Sequence, residues 1–572
     1  MSRSTWTIFT IASILAISNT YGTAIHTARQ LNTSTITWSE CPDVPSTQCA
    51  IFSVPMDYTT PDGNETVSIF MRKYPATVPE DQWLGSLLTN PGGPGGSGSE
   101  FVASSGKRLS DIVGGRYDII GFDSRAVNLT GPPTACHDVE AKYIHNSYQE
   151  LLQGPPVPRH ERSHVAKLAA IQETQNIACQ QNGNHQMLRN SGTVAVVKDM
   201  ERIVQALGED GLNFLGYSYG SILGATFAAL KPELVKRMVL DGVSDSESYF
   251  NDVLQWGRDS LQDSHITLAG FASTCIEAGP EYCALANKSN TTQGILDRLD
   301  ALYVRLDKEP LPVGDTPYGT GIIEAHILQA LIFMSMYSPS IWGGVAEMLV
   351  QLEQGDGSGL FAFFAPYYTI EPKPYNQNVF NRSMQTAGTR EAFNPIICGD
   401  SAPLNITIDQ YTNYFREMGK ISDIGEQFAA ISGRCRGWPF RANERYTGPW
   451  KGLKKTRFPV LFVSLDGDPV TPLGSAVKMR NAFGDSASLL VQQGFGHASL
   501  AHPSLCTAKH IQDYFVNGTV PKNGTHCTPE PGFIYPTNAT NSKRAILSER
   551  DAKLLSAVEE LGRTRSKLTI GL

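Results

Sequence analysis

Apolar residues fall in short compact runs early in the chain, give way to helical spacing in its middle, and return as compact runs near residue 460. "AIFSVPMDY" and "TVSIFMRKY" are rich in β-formers and flank the turn "TTPDGNE", so they predict two paired strands. "GSLLTN" and "RYDIIGFD" are compact apolar runs of the kind found in strands buried on both faces. "VAVVKDMERIVQALG" has helical spacing and a stop at Gly208. "LNFLGY" then predicts a strand, "YGSILGATFAALK" a helix ended near Pro232, and "VKRMVLDGV" another strand. Strands alternating with helices imply a mostly parallel sheet with helices on both faces.

From residue 245 to 455 the pattern is largely helical, broken by Pro- and Gly-rich loops. "PVLFVSLDGDPVTP" and "ASLLVQQGFGHAS" restore the alternation. The expected organisation is therefore an α/β core in two parts, 25–244 and 456–545, split by a helical cap insertion at 245–455. Residues 546–572 read as a polar C-terminal tail, and no internal repeat is visible.

The first 24 residues alter the picture. Arg3 precedes an apolar stretch from Trp6 to Ile17, and small residues lie near Gly22 and Ala24. This is the pattern of a secretory signal peptide. The run is shorter than the ~20 apolar residues a membrane anchor needs. Export agrees with ten cysteines, an even number. They fall into the couples Cys41 with Cys49, Cys136 with Cys179, Cys275 with Cys283, Cys398 with Cys435, and Cys506 with Cys527, although spacing alone does not fix connectivity. No CxxC spacing suggests a metal site. Export agrees also with N-x-S/T sequons at Asn32, Asn64, Asn128, Asn287, Asn290, Asn381, Asn405, Asn517, Asn523 and Asn538, which mark expected surface. A formal net charge of −8 without a basic block speaks against a nucleic-acid partner.

Candidate chemistry centres on "LNFLGYSYGSILG". Gly216-Tyr217-Ser218-Tyr219-Gly220 is G-x-S-x-G between a predicted strand and a predicted helix, the setting of a nucleophile elbow. A serine hydroxyl needs a base, and the base needs a group to orient it. After the later strands, "SLDGDPVTP" offers Asp466 and Asp468, and "GFGHAS" offers His497. Acyl transfer also needs donors for an oxyanion. The amide of Tyr219 is one candidate. "NPGGPGGSG", directly after the strand "GSLLT", is the other: it reads either as a linker or as an oxyanion loop with Gly93 the candidate donor.

These motifs, together with "YDIIGFDSRA", "MYSPSIWGGVAEML", "IICGD" and "CRGWP", resemble the secreted tripeptidyl-aminopeptidase-like serine hydrolases, relatives of proline iminopeptidase with the α/β-hydrolase fold. The resemblance spans about residues 50 to 530. It implies Ser218 as nucleophile, Asp468, just before "PVTP", as acid, His497 as base, and no cofactor or metal. One departure is "DSRAVNLTGPP", where Ala126 stands in place of the family's glycine. The implied substrate is a peptide with a free N-terminus, with a small ester as the alternative and a non-catalytic binding protein as a third reading. An aminopeptidase needs a carboxylate for the substrate amine. Asp400 in "IICGDSAP" is the candidate, against the simpler reading that it caps its own loop.

Overall fold

A computed structural model of the chain describes residues 36–60, 63–137, 140–368, 391–536 and 547–569. The expected signal peptide, 1–24, and the sequons at Asn32, Asn381 and Asn538 lie outside them. After the short polar strand β1 (Ser39–Glu40), the apolar runs of the sequence become strands: β2 (Gln48–Pro55), β3 (Thr66–Tyr74), β4 (Ser86–Asn90), β5 (Asp118–Phe122), β6 (Leu212–Tyr217) and β7 (Val235–Asp241). A hairpin, β8 (Leu311–Thr316) and β9 (Gly319–Ile323), stands apart. Then come β10 (Val460–Gly467), β11 (Ala487–Phe495) and β12 (Thr525–Cys527). Among the described residues one sheet runs β1-β2-β3-β5-β4-β6-β7-β10-β11-β12. Its first three pairings are antiparallel. From β5 onward every pairing is parallel. This is the mostly parallel sheet that the alternation implied, in the α/β-hydrolase architecture that the resemblance implied.

Every residue of β4 and β6 is buried, because helices cover both faces. Successive side chains point to opposite sides. Leu87, Ile119, Leu215, Val239, Leu461 and Leu490 pack under the helices Gly98–Ile112 and Leu505–Asn517. Their neighbours Leu88, Ile120, Phe214, Leu240, Phe462 and Leu489 join the larger core on the other face, with the helices Thr193–Ala206, Tyr219–Leu230 and Leu473–Phe483.

The C-terminal segment differs from expectation. It is not a tail but the helix Glu549–Thr569. Leu554, Val558 and Leu561, spaced four and three apart, form a buried stripe. They join Phe101, Leu505 and Leu500, the last of these three residues after His497. Lys553, Glu560 and Arg563 lie on the exposed face of this amphipathic helix, while Glu559 is buried.

After β7 the chain leaves the sheet and returns at β10. The described residues between are helical apart from loops and the β8–β9 hairpin. A second excursion, not assigned from the sequence, leaves after β5 as the helices Glu140–Gln153 and Arg162–Asn182. It packs on the first. Gln172 Nε2 donates to Ala430 O at 3.0 Å, Tyr411 OH donates to Gln172 at 3.2 Å, and Arg434 Nε meets Glu150 at 3.1 Å. All ten cysteines are paired, in the five couples that sequence proximity suggested. In the departing motif, Ala126 has φ 69°, a left-handed backbone that glycine adopts at less cost. Beside it, Arg125 is fully buried against Asp199 at 2.7 Å.

Two buried histidines make the fold acid-sensitive. His326 sits under the Leu151 carbonyl, and His502 stacks between Phe495 and Phe533. Burial pushes both down to about 4. In the unfolded chain a histidine takes its proton near pH 6.5. Their contribution is thus complete above about 6.5 and is lost as pH falls toward 4, on the order of 3 kcal/mol each. Thermal unfolding measured from pH 7.5 to 4.5 should show Tm falling, and falling less in His502→Gln. An identical slope in the variant would refute the assignment.

Candidate active site

Ser218 sits between the last residue of β6 and the first of the helix Tyr219–Leu230. Its φ of 57° and ψ of −122° are strained for a side-chain-bearing residue, as a nucleophile elbow demands. The flanking glycines follow from crowding: a Cβ at Gly216 would stand 2.5 Å from Gly220 O. Helix and strand can meet at so sharp a corner only without it. The turn holds Ser218 half-buried at a helix N-terminus, where the helix dipole favours developing negative charge. Its amide donates to Asp241 O at 2.9 Å.

The glycine-rich loop lies directly on this serine. A Cβ at Gly92 would come within 2.7 Å of both Ser218 Cβ and Tyr217 O. Gly92 also has φ 107°, so two requirements meet at one residue. The loop is closed by Gly92 N donating to Asn90 Oδ1 at 3.0 Å and Gly96 N donating to Gly92 O at 3.1 Å. Neither bond uses the amide of Gly93. Sequence reasoning singled out Gly93 and missed Gly92; the signal was the whole glycine run, which does not say which member touches the serine.

His497 follows β11 and is almost wholly buried. Its Nδ1 lies 3.1 Å from both carboxylate oxygens of Asp468. Asp466 points elsewhere and accepts from Gly494 N at 3.0 Å. Asp468, in the loop after β10, collects further donors: Val470 N at 3.0 Å, Thr471 N at 2.8 Å, Thr471 Oγ1 at 2.7 Å and Ala498 N at 2.8 Å. Burial alone would raise its pKa, but the charge and hydrogen bond of His497 and these donors outweigh it and hold the carboxyl below its usual range. Asp468 is therefore an acceptor at neutral pH and fixes the proton of His497 on Nδ1. That leaves Nε2 as the basic nitrogen. It is buried and has no partner among the described residues. An unpaired buried nitrogen is costly unless something is to be received there.

Two residues that the sequence did not flag hold this arrangement together. Asp241, at the end of β7, accepts the Ser218 amide on its carbonyl, and its carboxylate accepts Ser499 N at 2.9 Å and Ser499 Oγ at 2.5 Å. One residue thus ties the elbow to the turn after His497. From the helix Ala325–Tyr337, Tyr337 O accepts the His497 amide at 3.2 Å, and its ring meets the imidazole edge-on at 4.9 Å.

Two expectations are corrected. Asp400 is not open to a substrate amine. It is fully buried, and its carboxylate accepts Thr193 N at 2.9 Å, Thr193 Oγ1 at 2.5 Å and Tyr249 OH at 3.2 Å. Burial, partly offset by these donors, raises its pKa to about 6. Asn128 is not a free glycan acceptor. Its amide nitrogen donates to Ser97 Oγ at 3.1 Å and Asp123 Oδ2 at 3.2 Å, and Thr130 of the same sequon is buried. Asn64, Asn287, Asn290, Asn405, Asn517 and Asn523 are exposed.

A serine in a strained strand–helix turn, on this sheet, defines a serine hydrolase of the α/β-hydrolase class. Family models agree: that of the alpha/beta hydrolase fold matches residues 85–299, and that of TAP-like proteins matches 421–527. Together the two matches make the chain similar to the TAP-like α/β hydrolases. It is 28% identical over 488 residues to the serine protease Hip1 of Mycobacterium tuberculosis, covering 84% of this chain and 87% of that one. It is 26% identical over 522 residues to the tripeptidyl aminopeptidase of Streptomyces lividans, covering 89% of each. It is 27% identical over 514 residues to a protein of M. tuberculosis named carboxylesterase B, covering 86% and 90%.

Proposed function

We propose that the protein is an exported serine exopeptidase that cleaves short peptides from a free N-terminus. Ser218 Oγ attacks the scissile carbonyl while His497 Nε2 takes its proton. The amides of Tyr219 and Gly93 receive the oxyanion, and the protonated His497 passes its proton to the leaving amine. Water then repeats the sequence on the acyl-enzyme, and Ser218 regains its proton. Asp468 orients His497 and balances its charge throughout. The observation that carries this reading is the buried His497, held by Asp468 on one nitrogen, unpaired on the other, and tied through Asp241 to the elbow at Ser218. Support for peptide substrates comes from the names of two relatives, Hip1 and the tripeptidyl aminopeptidase. Five disulfides and six exposed sequons support export. Among the described residues no helix is long and apolar enough to cross a membrane. The residues from 245 to 455, with the helices Glu140–Gln153 and Arg162–Asn182, form in this reading the cap that limits substrate reach.

A second reading, a carboxylesterase on the same residues, draws on the third relative. The two differ in one measurement. An exopeptidase must recognise the substrate's ammonium group, so N-acetylation of a short peptide should lower kcat/KM by at least ~10²-fold, because the polar groups that receive the ammonium are left unpaired. Equal rates on free and acetylated peptides, or faster turnover of simple esters than of any peptide, would replace the peptidase reading with the esterase one.

A further inference from the structure

The helix Thr193–Ala206 is capped from outside its own segment. Its N-cap is Gly192, which has no side chain to satisfy the first amides. A carboxylate from far along the chain does so instead: Asp400 accepts Thr193 N at 2.9 and 3.2 Å on its two oxygens. A Cβ at Gly192 would stand 2.8 Å from Asp400 Oδ1, so this cap fits only over glycine. A serine or aspartate at position 192 would have capped the helix locally. A buried carboxylate is a costly substitute, since its charge must be taken out of water. The arrangement therefore asks for a second role.

That role lies on the other side of Thr193. The Thr193 hydroxyl is 2.5 Å from Asp400 Oδ2 and 2.6 Å from the hydroxyl of Tyr219. An ionised carboxylate only accepts, so the Thr193 proton is committed to Asp400. Thr193 Oγ1 can then only accept from Tyr219. The chain has one polarity, Tyr219 to Thr193 to Asp400, and all three residues are buried. Tyr219 is the residue after the elbow serine. Asp400 is itself held: Arg445 Nε donates to its carbonyl at 2.5 Å, and Cys398, two residues before it, is bonded to Cys435.

We propose that Asp400 is a positioning residue, which through Thr193 pins the Tyr219 side chain and so holds the Tyr219 amide on the oxyanion beside Ser218. This rests on the proposed role of Ser218 as nucleophile. It assigns to the insertion a part in the chemistry in addition to limiting reach.

The test separates positioning from folding. Asp400→Asn keeps the shape of the side chain. Turned so that its oxygen meets Thr193 N, it offers an N–H where Thr193 Oγ1 now finds an acceptor. Thr193 Oγ1 then accepts from this N–H, its own proton is released from Asp400, and the fixed direction of its bond to Tyr219 is lost. Turnover is measured per active site titrated with a fluorophosphonate, so unfolded enzyme does not count. Asp400→Asn should lower kcat about tenfold or more with KM little changed, as expected of a displaced catalytic donor. Thr193→Val should do the same, whereas Thr193→Ser, which keeps the hydroxyl, should stay within about threefold of the parent enzyme. In a Tyr219→Phe background, Asp400→Asn should add less than about threefold, because the two act on one element. Unchanged kcat in Asp400→Asn, equal losses in Thr193→Val and Thr193→Ser, or additive losses with Tyr219→Phe would each overturn the proposal and leave the role of Ser218 standing. Failure of the probe to label Ser218 in the parent enzyme would overturn both.

Discussion

Ser218→Ala is expected to abolish turnover while leaving the fold in place. The variant loses one hydroxyl oxygen. The contacts that build the elbow are backbone ones: the amide of residue 218 still donates to Asp241 O, and its carbonyl still accepts from Ser221 N at 2.7 Å. Alanine meets the same positive φ as serine, so no new strain is introduced. Tm should therefore stay within a few degrees. The loss in kcat should reach about 10⁵- to 10⁶-fold, the scale seen when a nucleophile is removed from a serine-hydrolase triad. A fluorophosphonate should label the parent protein at Ser218 and leave the variant unlabelled. The neighbouring Ser221 does not offer a substitute, because its hydroxyl donates to Ser218 O at 2.6 Å. Labelling of Ser218→Ala at any other serine, with turnover retained, would mean that the nucleophile lies elsewhere.

What could be read along the chain, and what could not, divides by how local the physics is. The elbow was legible because its requirement is local. A strand must turn into a helix over one residue, and only small neighbours permit it. The sheet was legible for a similar reason: β4 and β6 are buried on both faces and so carry compact apolar pairs, Leu87–Leu88 and Phe214–Leu215. The packing of the helices Glu140–Gln153 and Arg162–Asn182 on the residues between β7 and β10 was not legible. Their partners Tyr411 and Ala430 lie 239 and 258 residues further on. Asp400 failed in the same way. In sequence it is an acidic residue near a cysteine, and only folding brings it to the bare N-terminus at Gly192. The sequon at Asn128 is a three-residue signal, whereas the freedom of its amide is decided by Ser97 and Asp123. The C-terminal helix is a different case. Leu554, Val558 and Leu561 carry helical spacing in the sequence itself, and the many charges around them obscured it. Asp466 and Asp468 remained a pair of candidates because two residues along a strand end exchange one face for the next loop, and no local rule says which of them meets a histidine 29 residues away from Asp468.

Asp468→Asn should therefore cost far more activity than Asp466→Asn. Five donors converge on Asp468: the amides of Val470, Thr471 and Ala498, the Thr471 hydroxyl and His497 Nδ1. Asparagine has one acceptor and one donor where these groups need two acceptors. If its NH₂ takes the place of Oδ2, it faces Ala498 N. If it is turned over, it faces the amides of Val470 and Thr471. In either setting His497 is drawn toward the tautomer with its proton on Nε2, the nitrogen that must be free to receive one from Ser218. A loss of about 10⁴-fold in kcat is the measured scale for this substitution in a serine protease triad. Asp466 is half-buried and accepts from Gly494 N, a bond that an asparagine oxygen can still make. Asp466→Asn should stay within about tenfold of the parent, the cost of one weakened hydrogen bond. Both variants are compared at pH 7.5, per site titrated with fluorophosphonate where labelling still occurs and per folded protein where it does not. A larger loss in Asp466→Asn than in Asp468→Asn would move the acid to Asp466 and leave the tautomer of His497 without its cause.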